Sequence, residues 1–164
     1  TPKFLSLTND ATPPTASGDC VVRPNSTAQL LGGHTEIGIV AKTDRDLEKI
    51  NLNGLPCSAI AKIVERIYPG ETDKYYQLVP RSTLVRRQKE GSPLSVEESQ
   101  KAERVARVFS FAVEVWGDEA KAREFMQKSH PMLDDRTPFE ASLNELGARQ
   151  VEQILGRLMF GSVA

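Results

Sequence analysis

Between Ser95 and Gly117 the apolar residues Ala102, Val105, Ala106, Phe109, Ala112, Val113 and Trp116 recur at spacings of three and four. That period lines one face of an α-helix and fits no strand. Ser95-Val96-Glu97-Glu98 has the S-x-x-E form of a capping box, in which hydroxyl and carboxylate each satisfy an otherwise unpaired backbone N–H, and Gly117 closes the run. An amphipathic helix must bury its stripe somewhere, so the flanking segments decide what this chain can become.

From Thr43 onward those segments are helical too. Leu47 and Ile50 lie three apart in Asp44–Leu52, and Asn53-Gly54 supplies residue types that tolerate the left-handed conformation closing a helix. Pro56 suits a first helical turn, and Ile60, Ile63, Val64 and Ile67 form a stripe that stops at Pro69-Gly70. Thr72 is expected to cap a short helix through Tyr75, Tyr76, Leu78 and Val79, before Pro80 forces a corner. A helix from Arg81 to about Glu90 follows, with Leu84 as its main apolar contact, its basic residues outward and Gly91 as its stop. Beyond Gly117, Asp118 caps a helix packing through Ala122, Phe125 and Met126 and ending near His130-Pro131. Thr137-Pro138-Phe139-Glu140 is a second capping box with Pro at the first helical position, opening a brief helix expected to close near Gly147. Ala148 to Phe160 then carries Val151, Ile154, Leu155, Leu158 and Met159 on one face, a stripe that reads as core, and Gly161 ends it. Residues 1–29, rich in Thr, Pro, Ser, Asn and Asp and without periodicity, read as a flexible arm. Ile37, Ile39 and Val40 fit a short strand or an extended lead-in. The expected fold class is all-α.

At 164 residues, 39% hydrophobic and 26% charged, the chain has the size of one domain with an arm that adds little to the core. No run approaches the ~20 apolar residues of a membrane span, and the opening TPKFLSLTNDATPPTASGD shows no basic segment leading into an apolar one. A soluble protein without membrane contact is therefore expected. Cys20 and Cys57 are too few for a disulfide framework, which suits a reducing, cytoplasmic setting. With only His34 and His130 beside them, no zinc cluster or Ser-His pair assembles. Asp134-Asp135 reads as an exposed acidic turn, Leu31-Gly32-Gly33 lacks phosphate-loop spacing, and Cys57 reads as a core residue. No enzyme and no cofactor are expected.

The net charge of −1 hides an uneven distribution: residues 80–107 hold seven basic against four acidic residues, and residues 108–164 hold six against nine. Arg81, Arg86, Arg87 and Lys89 stand together with no acid among them. Such a stretch is either a solvated helix face or a set of phosphate contacts. A short helix, a tight corner at Pro80 and a second helix rich in Arg, Ser and Thr is the layout of a helix-turn-helix. Pattern alone leaves both DNA binding and a purely structural corner open.

The succession Leu30-Leu31-Gly32-Gly33, Asp46-Leu47, Gly54-Leu55-Pro56, Pro80 with Thr83-Leu84, Leu94-Ser95-Val96-Glu97-Glu98-Ser99, Val115-Trp116-Gly117-Asp118 and Arg136-Thr137-Pro138-Phe139-Glu140 resembles the Xre/MbcA/ParS-type antitoxins. So does the ending, Gly147-Ala148-Arg149-Gln150-Val151-Glu152-Gln153-Ile154-Leu155-Gly156-Arg157. The resemblance spans about residues 30–164. It implies an antitoxin of a type II toxin–antitoxin pair, with a helix-turn-helix region over 30–94 and a toxin-binding helical part over 95–164. It also implies a homodimer and, as partners, operator DNA of its own operon and an NAD-consuming RES-domain toxin whose active site it occludes. Carried over, Arg81, Ser82 and Thr83 become candidates for base or phosphate contact, and Arg86, Arg87 and Lys89 for phosphate. Arg157, Phe160, Gly161, Ser162, Val163 and Ala164 become the segment set against the toxin. The chain departs from the common pattern in having Tyr75-Tyr76 where small residues usually let the two helices approach closely. The alternative is a helix-turn-helix regulator with no toxin partner.

Overall fold

The structure, a computed structural model, describes residues 24–31 and 43–161, and within them all regular structure is helical. The elements are α1 (Pro24–Leu30), α2 (Asp44–Asn53), α3 (Ser58–Ile67), a 3-10 turn (Thr72–Lys74) running into α4 (Tyr75–Leu78), α5 (Arg81–Glu90), α6 (Val96–Trp116), α7 (Glu119–Gln127), a second 3-10 turn (Pro131–Leu133), α8 (Pro138–Ala141) and α9 (Glu145–Phe160).

α6 is the axis of the molecule. α1, α2, α3 and α4 pack on it from the N-terminal half, and α7 and α9 from the C-terminal half. Its burial therefore extends beyond the expected stripe: Val108, Ser110 and Phe111 are buried along with Val105, Ala106, Phe109 and Ala112. A helix apolar on most sides belongs at the centre of a core. Trp116, expected in that stripe, emerges at the end of α6 and lies partly exposed with its ring centroid 6.3 Å from that of Phe125.

Both expected capping boxes form. Ser95 Oγ accepts from Glu98 N at 3.2 Å while Glu98 Oε2 accepts from Ser95 N at 2.7 Å, and Thr137 and Glu140 make the same pair at 3.2 and 3.1 Å. Thr43 and Asp46 close a third box, with Asp in place of the usual Glu or Gln. The α2–α3 linker is pinned to the base of α6: Leu55 N donates to the buried Ser99 Oγ at 2.9 Å, and Leu94 N donates to Leu55 O at 2.8 Å. Gly54 is required there, because its φ is +82° and a Cβ would lie 2.5 Å from Leu94 O. The last carbonyls of α3 are satisfied by α7, with Arg123 Nε donating to Arg66 O at 2.6 Å and Gln127 Nε2 donating to Ile67 O.

Several expectations are corrected. The arm does not extend to residue 29: Pro24–Leu30 form α1, with Ala28, Leu30 and Leu31 buried on α6. Two helical turns with so few apolar residues leave too short a periodicity to read. Residues 1–23, and the segment at 37–40 read as a short strand, lie outside the described residues. Thr72 is the first residue of the 3-10 turn rather than a cap. Cys57 is only half-buried, its Sγ 3.5 Å from Ser92 O, and burial pushes its thiol pKa up against the opposing pull of Arg87. The helix opened by Asp118 ends at Gln127, before His130.

Gly147 is the largest correction. It does not end a helix; it is the third residue of α9, where the Asn144 side chain accepts from Gly147 N at 2.8 Å as the N-cap. The glycine is there for close approach, since a Cβ would fall 2.1 Å from Ala141 O of α8. Gly147→Ala should therefore destabilise the fold by about 1–3 kcal/mol, although Ala is the better helix former. A urea-unfolding midpoint equal to or above the wild type would contradict that packing.

Candidate nucleic-acid interface and toxin-binding end

Val79 is extended (φ −137°, ψ 132°) and Pro80 begins the next helix without a side-chain cap, so α4 and α5 meet at a two-residue corner. Leu78, Val79 and Leu84 are buried and hold the corner on the core. Tyr75 and Tyr76 pack half-buried against that core, and the Arg81 guanidinium sits 5.6 Å from the Tyr76 ring centroid. The tyrosines thus pack at the corner in place of small residues, and Tyr76 braces the start of α5 through Arg81.

Arg81, Ser82, Arg86 and Lys89 are exposed on α5, and Thr83 is half-buried. Arg87 is not with them. Its Nε lies 3.0 Å from Glu98 Oε2 and its Nη1 donates to Pro93 O at 2.9 Å, with both side chains mostly buried. The same Glu98 oxygen closes the capping box of α6, so Arg87 ties the C-terminal half of α5 to the start of α6. Arg87 was expected among the phosphate contacts, and its guanidinium is already engaged. Sequence spacing placed it beside Arg86, but one residue is 100° around a helix and turns it toward the core. Val85, which the sequence reading passed over, is 53% exposed on the outward side.

At the other end, α9 rests on α6 through Val151, Ile154 and Leu155 and through an ionic network. Arg107 Nε lies 2.8 Å from Glu152 Oε1 and Arg107 Nη2 3.8 Å from Glu145 Oε1, while Arg104 Nη2 donates to Leu143 O at 3.2 Å. Beneath it Glu103 is buried 3.8 Å from Arg107 Nη1, and burial pushes its carboxyl above the ordinary value of 4.5 against the pull of Arg107 and Arg104. The apolar stripe of α9 does not stay inside to its end. Leu158 is 53%, Met159 41% and Phe160 69% exposed, beside exposed Arg157 and Gly161. Leu158 and Met159 were expected as core; both are exposed, so the stripe leaves the core after Leu155. Ser162, Val163 and Ala164 lie outside the described residues.

Among the described residues no three His, Cys, Asp or Glu side chains gather as a metal site, and no helix is long and apolar enough to cross a membrane. Asp134 and Asp135 form an exposed turn with φ of 56° and 58°. His130 is occupied as well, its Nδ1 accepting from Met132 N at 3.2 Å.

Residues 46–107 match the antitoxin Xre-like helix-turn-helix domain, and residues 111–161 match the antitoxin Xre/MbcA/ParS C-terminal toxin-binding domain. The chain belongs to the Xre/MbcA/ParS antitoxin family. It is 30% identical over 111 residues to an Antitoxin Xre of Pseudomonas putida, an alignment covering 66% of this chain and 68% of that protein. It is 33% identical over 84 residues to an Antitoxin Xre of Yersinia enterocolitica, covering 51% and 57% respectively. The antitoxin thus joins a DNA-binding helix-turn-helix domain to a toxin-binding domain. The two matched segments meet at residues 107–111, inside α6, whereas the sequence reading divided the chain at 94/95. A regulator without a toxin partner leaves the second match unexplained.

Two stability measurements test this geometry. Arg87→Ala should lower the antitoxin's stability by about 1–2 kcal/mol by removing the ion pair with Glu98 and the donor to Pro93 O, whereas Arg86→Ala should stay within about 0.5 kcal/mol of wild type. Glu103 binds its proton more tightly folded than unfolded, so its contribution to stability falls as pH rises from 4.5 through its folded value. The difference in urea midpoint between Glu103→Gln and wild type should accordingly shift in favour of the Gln variant between about pH 4 and about pH 7.

Proposed function

We propose that the antitoxin neutralises an NAD-consuming RES-domain toxin in the cytoplasm by seating the end of α9 and the tail Gly161–Ala164 against the toxin's active-site cleft. The observation that carries this reading is the exposed last turn of α9: Leu158, Met159 and Phe160 stand in water beside Arg157, although the same stripe is buried one turn earlier at Ile154 and Leu155. Adjacent exposed apolar side chains of that size favour a partner surface.

At the other end, a homodimer of the antitoxin presents two copies of α5 to the operator of its own operon and represses it. Arg81, Ser82 and Thr83 lie in the first turn of α5, the part of a recognition helix that meets base edges, and Arg86 and Lys89 reach phosphate. Three observations support this: those cations are exposed on α5, no acid precedes Glu90 in the helix, and Pro80 leaves the first-turn amides of α5 without a side-chain cap.

Co-expression with the product of the neighbouring gene tests the toxin reading. The intact chain should co-purify with it and preserve cellular NAD, while a chain lacking Phe160 to Ala164 should lose that protection. Equal protection by the shortened chain would remove the tail from the mechanism, and NAD unaffected by the neighbour alone would remove the RES toxin.

A further inference from the structure

On α5 the exposed residues form two rows of i, i+4 neighbours, Arg81–Val85–Lys89 and Ser82–Arg86–Glu90, with Gln88 beside them, so that the one acid stands at the far end of the helix. Val85 sits at the centre of this face, with a cation one turn before it, another one turn after it and Arg86 beside it. Among the described residues of α5 it is the one large hydrophobic side chain left exposed. Valine has little to recommend it there as a helix former, because its branched Cβ loses χ1 freedom against the preceding turn. Water offers its methyl groups nothing either. A surface that is anionic at its edges and apolar at one point on its floor suits this face, and the major groove of a duplex is such a surface. Phosphates line both sides, the groove is about 12 Å wide and admits a helix of about 10–12 Å, and the thymine 5-methyl is the apolar group among the base edges.

We propose that Val85 packs against the 5-methyl group of a thymine in the major groove and so determines part of the antitoxin's sequence preference. This rests on α5 being the DNA-facing helix. Arg86 and Lys89 then supply attraction that is blind to sequence, and Arg87, held by Glu98, sets the rotation of α5 that keeps Val85 outward.

The test uses the full chain to select a bound site from a random duplex pool, then replaces each thymine of that site singly with deoxyuridine, which lacks only the methyl group. Wild type should lose about fourfold in affinity at one position, the worth of one methyl group removed from an apolar contact. Val85→Ser should bind more weakly and show no deoxyuridine penalty at that position. The proposal is overturned if no thymine carries a penalty, or if Val85→Ser keeps it. It is also overturned if Val85→Ser changes self-association in sedimentation and leaves base discrimination alone, which would make the patch a contact between copies. Failure of the wild type to bind any duplex would instead bring down the DNA-facing reading of α5 itself. Because Val85 is exposed, the variant should unfold at the wild-type urea concentration, so a lost preference is not a lost fold.

Discussion

Burial of α6 on most of its circumference is the constraint on which the rest of the antitoxin depends. Phe109 and Phe111 are close to fully buried, which is possible only if helices cover more than one side of α6. Four N-terminal helices and two C-terminal ones do so. The DNA-binding and toxin-binding regions therefore share one continuous apolar core, and the matched family segments abut within a single helix instead of across a linker. Dispersion and water exclusion supply the stability in such an arrangement; the polar groups set register.

Those polar groups sort the charged side chains into two kinds. Glu98 uses one oxygen to close a helix cap and to hold Arg87, and Arg107 spans from Glu103 to Glu152 across the α6–α9 contact. Each is spent on internal geometry. Arg86 and Lys89 are left to solvent on α5, and Leu158 and Phe160 on the last turn of α9. A side chain that the fold has not engaged is free to contribute to binding, because contact with a partner then disrupts nothing.

Much of this was legible in the residues. The two S/T-x-x-E boxes, the corner at Pro80 and the periodic stripes of α3, α6 and α9 carry their own local physics, and each marks a helix that forms, although α8 stops at Ala141 and α9 starts at Glu145. Where reading failed, the deciding contact came from elsewhere in the chain. Gly147 looks like a terminator by composition, but it is a glycine because the Ala141 carbonyl of α8 leaves no space for a Cβ. α1 has too little stripe to announce itself and is held by packing on α6, α2 and α3.

The sequence by itself determined that the described part of the chain is helical, where most of its helices start, and that cations concentrate on one of them, since capping, periodicity and charge are properties of neighbours within a few residues. Tertiary structure alone decided which cations stay free, where the stripe of α9 leaves the core and that Val85 faces out. Those outcomes depend on contacts between segments distant in the chain, among them the Arg87–Glu98 pair and the packing of α9 on α6. No local pattern encodes the distance to a surface that another part of the chain provides.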